Sequence, residues 1–244
     1  MADSPGAARG ADDVSRETSS APDPVVLAEI FPPDRLSLLH TYADLLATEG
    51  VVRGLIGPRE VPRLWDRHLV NCGLLAPLIP ARASVADVGS GAGLPGVVLA
   101  IARPDVQMTL VEPMARRVAF LEEVRTRLSL DTLEVVRERA EQWPDPPQFE
   151  VVTARAVAAL PKLLEWAMPL AAADGVVLAM KGSSASEEVE AARDALGRWR
   201  ARAEVLTMSV PGSSVTTVVR VVREPGAAIG WQSSRTRRTR GGRR

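Results

Sequence analysis

Two carboxylates bracket a glycine-rich turn. Asp87 opens Asp87-Val-Gly89-Ser-Gly91-Ala-Gly93-Leu94-Pro95-Gly96, and Glu112 closes the next apolar run, Gln107-Met-Thr-Leu-Val-Glu112-Pro113. Glycines after a buried strand let a ligand lie against bare backbone at a helix N-terminus. A carboxylate at the end of the second strand can grip both hydroxyls of a ribose. Glu112 stands 19 residues past Gly93 (112 minus 93), a spacing that suits the first half of a nucleotide-binding βαβ unit. Cations stand after two later apolar runs: Arg155 in Thr153-Ala-Arg155-Ala-Val-Ala158, and Lys181 before Gly182. Arginine there suits a phosphate, a guanine edge or a cofactor carboxylate, and Lys181 suits a nucleic acid backbone. Upstream, Arg63-Leu-Trp65-Asp66-Arg67-His68-Leu-Val-Asn71 carries His68 as a candidate acid or base. Arg67 and Asn71 share a helical face at i, i+4, whereas Trp65 is expected to pack.

Two ligand classes fit the turn. Gly91-x-Gly93-x-x-Gly96 matches the dinucleotide fingerprint, which keeps an NAD-dependent oxidoreductase open. Asp87-x-Gly89-x-Gly91-x-Gly93 instead resembles the first motif of S-adenosylmethionine (SAM) methyltransferases, and a plain NAD site has no need of a carboxylate inside the first strand-turn. SAM is therefore the expected cofactor, held by Asp87, Gly89, Gly91, Gly93 and Glu112. In a methyltransferase the segment Arg137-Glu-Arg139-Ala140-Glu141-Gln-Trp143 would lie near the adenine, with Ala140 and Glu141 as the candidates. The residues after the fourth strand include neither Asn/Asp-Pro-Pro-Tyr/Phe, used on exocyclic amines, nor a cysteine nucleophile, needed for pyrimidine C5. The one cysteine, Cys72, and two histidines, His40 and His68, give no expected disulfide, thiolate cluster or metal site.

These residues need a scaffold that brings strand ends together. Strands are expected at Val85–Val88, Met108–Val111, Leu133–Val136, Glu150–Thr153 and Val176–Met180, alternating with helices near Leu94–Ala102, Met114–Leu128, Ala159–Leu170 and Ser186–Ala203. Glu204–Val210 and Val215–Val222, separated by Pro211-Gly-Ser-Ser214, read as an antiparallel hairpin. Five parallel strands ending in a hairpin define an α/β, Rossmann-like seven-stranded sheet of the class I methyltransferase kind; a dehydrogenase more often goes on to a second domain. Helical patterns from Val25, from Leu36 to Leu46 and from Val61 to Leu78 precede the first strand and form an N-terminal cap. The expected layout is a disordered tail over 1–24, the cap over 25–80, the methyltransferase domain over 81–224 and an Arg-rich disordered tail over 225–244.

At 244 residues and 46% hydrophobic, the chain can bury one substantial core. No apolar run reaches a membrane span and no signal-peptide h-region is visible, so a cytoplasmic monomer is the expectation. The zero net charge conceals a split. Trp231–Arg244 holds six arginines and no acid, leaving 24 basic against 30 acidic residues elsewhere. Such a tail can neutralise phosphates without a fixed shape, which keeps open an RNA-binding assembly factor with a vestigial cofactor pocket.

Taken in order, Arg67-His68-Leu-Val-Asn71, the Asp87–Gly96 turn with its Gly-Leu-Pro-Gly ending, Arg139-Ala140-Glu141, Arg155-Ala-Val-Ala158 and Lys181-Gly182 resemble the glucose-inhibited division protein B family across Val25 to Val222. The resemblance implies a SAM-dependent methyltransferase acting on guanine N7 of small-subunit (16S) ribosomal RNA, with rRNA or the small subunit as partner. By position it implies that Gly89 and Leu94 touch the cofactor, that Ala140 and Glu141 bind near its adenine, and that Arg155 closes the site. Arg155, His68 and Lys181 are then the expected catalytic residues, with Arg67 and Lys181 meeting RNA. Ala154 and Asn71 depart from the serine and aspartate of many members, which removes a hydroxyl and a carboxylate from those places.

Overall fold

The computed structural model describes residues 21–224; the expectations for residues 1–20 and for the arginine-rich 225–244 lie outside them. The chain opens with α1 (Pro24–Ala28), whose N-terminus is capped by the Asp23 carboxylate accepting from Val25 N at 2.9 Å. α2 (Leu36–Leu45) runs on into a π-helical turn, Leu46–Gly50. The single helix expected over Val61–Leu78 is instead a succession: a 3-10 stretch Pro58–Arg63, a π-helical stretch Leu64–Val70, the short α3 (Asn71–Gly73) and a 3-10 turn Ala76–Leu78. Pro58 and Pro62 sit in the first stretch and supply no backbone N–H, which works against a regular α-helical ladder there.

The sheet contains β1 (Ser84–Val88), β2 (Gln107–Val111), β3 (Leu133–Val136), β4 (Phe149–Arg155), β5 (Ala171–Lys181), β6 (Ala201–Met208) and β7 (Thr216–Arg223), in the order β3-β2-β1-β4-β5-β7-β6. β1 pairs in parallel with β2 and β4, and β7 runs antiparallel to β5, with Lys181 opposite Thr217. The five parallel strands and closing hairpin read from the sequence are therefore present. α4 (Gly96–Ala102) and α5 (Ala115–Arg127) cross between the first strands; α6 (Leu160–Ala167), α7 (Ala185–Ala191) and α8 (Arg193–Trp199) follow β4 and β5.

Several boundaries differ from expectation, among them the ends of β4 at Arg155 and of α6 at Ala167, and three have a visible cause or irregularity. α4 starts at Gly96, not Leu94, because Gly93 N and Leu94 N both bond to Ser90 O, at 2.7 and 3.1 Å, and spend those residues on the turn. The helix expected over Ser186–Ala203 breaks at Ala192, and Arg200 in the left-handed region (φ 47°) turns the chain so that β6 begins at Ala201. β5 reaches back to Ala171, five residues before Val176, past an irregularity in its pairing with β4.

Every residue of β1 after Ser84 is buried, as a central parallel strand with both faces covered requires. One face packs on the cap together with α4 and α5, through Leu39, Leu69, Ile101, Leu110, Phe120 and Leu178. The opposite face packs on α6 to α8, through Ala86, Val152, Leu164, Val177 and Val219. The cap thus shares a core with the sheet rather than forming a separate one. Arg103 ties the two further: its guanidinium donates to Ala76 O (2.9 Å), Ile79 O (2.6 Å) and Pro80 O (3.0 Å) while paired with Asp105 (2.7 Å).

Candidate active site

The glycine turn is built from below. Gly89, Gly91 and Gly93 all have positive φ (69°, 60° and 98°), where a side chain would be strained. Asp87 is fully buried beneath them; its Oδ2 accepts from Gly96 N at 3.1 Å and its Oδ1 from the Thr153 hydroxyl at 2.9 Å. Burial pushes the Asp87 carboxyl up to about 6, against the hydrogen bonds from Thr153 and Gly96 that favour its charged form. A side chain at Gly96 would sit 2.2 Å from Leu110 Cδ2 and 2.8 Å from Asp87 Oδ2, so this glycine is required for α4 to seat on the sheet. From above, the buried Tyr42 hydroxyl of α2 donates to Ala92 O at 2.7 Å. Asp87 and Gly93 thus shape the turn, and neither is among the residues that line the three cavities beside it.

Glu112 is also fully buried. Its Oε2 accepts from Gly91 N (3.0 Å) and its Oε1 from Met114 N (2.9 Å), with Arg117 Nη1 at 3.5 Å from Oε2. A carboxylate has about four lone-pair positions, so each oxygen keeps capacity for a diol hydroxyl. A cavity of about 350 Å³ opens beside it, with Gly89, Glu112, Ala140, Glu141, Val157 and Trp166 in its wall. A second, about 270 Å³, lies over the turn between Gly89, Gly91, Leu94, Arg117, His68 and Arg155. A third, about 650 Å³, opens between Glu60, Arg67, His68, Asn71, Arg155 and Lys181. Ala156 borders all three, and Arg155 borders the last two.

Arg155 is the hub. It is half-buried at the end of β4 and is followed by Ala156, a non-glycine residue at φ 54°. Its Nη1 donates to Cys72 Sγ at 3.2 Å and its Nη2 to His68 Nδ1. Cys72 is buried, and burial pushes its thiol up to about 11, so it is a neutral neighbour at physiological pH. Among the described residues no carboxylate lies within ion-pair distance of Arg155. Its guanidinium therefore borders two cavities without a direct ion-pair partner. His68 Nε2 lies 2.9 Å from Glu60 Oε2. Burial, then the charge of Arg155, hold His68 below its ordinary pKa, while Glu60 pulls it back up. Both ring nitrogens are engaged, which leaves neither free to exchange a proton with a substrate.

Lys181 does not stand on the rim as a free cation. Its Nζ donates to Ala158 O and to Glu188 Oε2, both at 2.7 Å, and Glu188 Oε2 also accepts from Leu160 N at 2.8 Å. The lysine pins the segment that follows Arg155. Arg67 is the exposed cation: its side chain keeps 57% of its surface and touches Glu60 Oε1 at 3.3 Å. Asn71, four residues on, faces the same cavity while its Oδ1 accepts from Thr216 at 2.6 Å. Trp65 is buried against His40, with ring centroids 4.8 Å apart, and is a packing residue as expected.

Sequence reasoning brought together Gly89, Glu112, Ala140, Glu141, Leu94, Arg155, His68 and Arg67. It missed Tyr42, Glu60, Arg117 and Trp166. Arg117 alone carried a local signal, since it stands five residues after Glu112 in the first turns of the helix that follows. The others reach the site only through tertiary packing.

A seven-stranded sheet of this order, with a glycine turn after β1 and a buried acid ending β2, defines a class I SAM-dependent methyltransferase. Its fold is shared with solved structures at low identity: P. horikoshii TYW2 in complex with MeSAdo (TM-score 0.52, 14% identity, covering 64% of this chain and 63% of that one). N-methyltransferase NodS from Bradyrhizobium japonicum WM9, in complex with S-adenosyl-l-homocysteine, is similar too (TM-score 0.51, 13% identity, 72% and 98%). The family model for rRNA small subunit methyltransferase G (GidB) matches residues 35–211. The chain is 56% identical over 233 residues to ribosomal RNA small subunit methyltransferase G of Nocardioides sp., covering 95% of this chain and 92% of that one. It is 51% identical over 217 residues to the Thermobifida fusca protein of the same name (86% and 91%). The chain belongs to the rRNA small subunit methyltransferase G family.

Proposed function

We propose that the chain transfers a methyl group from SAM to N7 of a guanine in 16S ribosomal RNA. SAM, when bound, supplies an electrophilic methyl on a sulfonium. The residues fit that donor: Glu112 is buried with spare acceptor capacity for a ribose diol, and the positive-φ glycines leave bare backbone beside it. Ala140 and Glu141 would bind along the adenine, and Gly89 and Leu94 beside the sulfonium end.

The observation that carries the assignment is the guanidinium of Arg155, without a direct ion-pair partner, between the cavity over the turn and the outer cavity. Two partners suit it: the donor's carboxylate, which is an anion, and the neutral but electron-rich acceptor edge of guanine. Electrostatics favours the carboxylate. Guanine gains positive charge as N7 is methylated, and a second cation at roughly 5 Å in an effective dielectric of about 20 would oppose that by about 3 kcal/mol. Arg155 paired with the methionine carboxylate instead fixes the donor and is itself neutralised.

Guanine N7 carries a bare lone pair, so no general base and no covalent intermediate are needed; alignment and exclusion of water suffice. That agrees with a His68 whose nitrogens are both engaged and with a Cys72 buried as a thiol. The outer cavity would take the flipped or single-stranded base, with Arg67 on a nearby phosphate and Lys181 holding the 156–159 segment that walls it.

The test has two arms. Isothermal titration should show SAM but not NADH binding, and chemical cleavage at N7-methylguanine should mark one 16S position in cells with the chain and not in cells without it. Arg155→Ala is expected to weaken SAM binding and lower kcat/KM at least tenfold with little change in Tm; unchanged SAM affinity would remove Arg155 from the donor site.

A further inference from the structure

We infer that Glu60 is a positioning residue for the methyl-donor site: by accepting from His68 it fixes the imidazole in the one tautomer that can receive Arg155. The inference rests on the proposed use of Arg155. Its basis is an unbroken run of contacts from the cap to the end of β4. Arg67 Nη1 lies 3.3 Å from Glu60 Oε1, Glu60 Oε2 lies 2.9 Å from His68 Nε2, and His68 Nδ1 meets Arg155 Nη2. Arg155 Nη1 then ends the run on Cys72 Sγ at 3.2 Å.

The tautomer follows from donor and acceptor counting. A guanidinium has donors and no acceptor, so His68 Nδ1 must be the bare nitrogen and the ring proton must sit on Nε2. His68 is buried, only 7% exposed, and a buried N–H needs an acceptor. Glu60 is that acceptor, and the hydrogen bond from His68 holds its carboxyl below the usual range despite partial burial. The charged groups acting on the ring are Glu60, Arg67 and Arg155, and Glu60 is the one acid among them. Were the proton on Nδ1, two N–H groups would face each other and the guanidinium would have to swing out of its seat. The partner of one ring nitrogen thus decides what the other can do, as carboxylates do behind metal-bound histidines.

The arrangement joins residues 60, 68 and 155, of which 60 and 68 stand on the cap and 155 on the sheet. It gives the cap a task in donor binding besides covering the core. It also separates two neighbouring cap residues by role: Glu60 acts on the donor side, and Arg67, on the exposed rim, acts on the RNA side.

The experiment uses the full chain with ¹⁵N-labelled histidine. At neutral pH, His68 should show a protonated Nε2 and an unprotonated Nδ1; a protonated Nδ1 or a cationic ring in the unsubstituted chain overturns the inference with no variant needed. Glu60→Ala should lose the single-tautomer signature and bind S-adenosylhomocysteine about tenfold more weakly. Glu60→Gln, which keeps an acceptor oxygen, should retain the signature and bind within about threefold of the unsubstituted chain. In methyl transfer, Glu60→Ala should raise KM for SAM and leave KM for RNA alone, with Arg67→Ala doing the reverse. Equal impairment in Glu60→Ala and Glu60→Gln, or neither impaired with the tautomer unchanged in both, refutes the role. A tautomer that follows Glu60 while S-adenosylhomocysteine affinity stays constant upholds the hydrogen-bond relay and refutes instead the assignment of Arg155 to the donor.

Discussion

Gly96→Ala adds one methyl group to the first residue of α4, and the surroundings dictate a large effect. The new Cβ would lie 2.2 Å from Leu110 Cδ2, 2.8 Å from Asp87 Oδ2 and 3.0 Å from Asp87 Cβ. Leu110 is buried in the central sheet and Asp87 is pinned by Thr153, so neither can swing aside at little cost. Overpacking a dense core costs about 1–3 kcal/mol. Moving α4 outward to relieve it lengthens the bond from Gly96 N to Asp87 Oδ2, a hydrogen bond to a charged group worth about 1.5–3 kcal/mol. Against these stands the gain from replacing glycine by alanine in a helix, at most about 1 kcal/mol. The net is a destabilisation of about 2–5 kcal/mol, a large part of the stability of an ordinary domain. Urea unfolding of the full chain with and without the substitution measures it through the midpoint at constant m-value. Because the turn rests on the same contacts, SAM affinity should fall as well. A variant as stable as the parent would mean that Asp87 and Gly96 do not seat the helix.

Tyr42→Phe removes the hydroxyl that donates to Ala92 O and leaves a buried carbonyl unpaired, which should cost about 1–3 kcal/mol and weaken SAM binding; unchanged affinity would show that the turn keeps its shape without the cap. Lys181→Met takes the ammonium from Ala158 O and from Glu188, which keeps the Leu160 N–H, so faster amide exchange is expected over 156–160 together with a higher KM for RNA, and unaltered exchange there would refute the pinning role. Asp87→Asn isolates a pH effect. The folded pKa of Asp87, about 6, lies above the ordinary 3.8, so its contribution is fully present below pH ~4 and is lost as pH rises through ~6, by about 3 kcal/mol at ~1.4 kcal/mol per pKa unit. Denaturant titrations at pH 4.5 and 7.5 should show the parent losing stability relative to the asparagine variant by most of that amount, and parallel profiles would contradict a strongly buried carboxylate.

The sheet was legible in the sequence because its signals are local. Short apolar runs, a glycine turn and an acid 19 residues beyond Gly93 declare strand, turn, helix and strand without any distant contact. The break at Ala192 was not, since Ala-Ala-Arg-Asp-Ala-Leu carries steady helix propensity, and the two helices it separates both pack on α6. In the site, Glu112 and Arg155 could be found as strand-end residues. Tyr42, 50 residues from Ala92, and Glu60, eight from His68 across a 3-10 to π-helical junction, had no such marker. Lys181 could be found as a strand-end cation beside the outer cavity, but its pairing could not, because its partner, Glu188, stands on the next helix and meets it only after the chain turns.

β1 has as neighbours β2, close by in the chain, and β4, whose Val151 to Ala154 pair with Val85 to Val88 some 66 residues later. A nascent chain that has emerged only as far as β3 would own the glycine turn and Glu112, yet would lack both Thr153, which steadies Asp87, and Arg155. On the proposed function, donor capture should then switch on only after β4 has paired with β1 and completed the middle of the sheet.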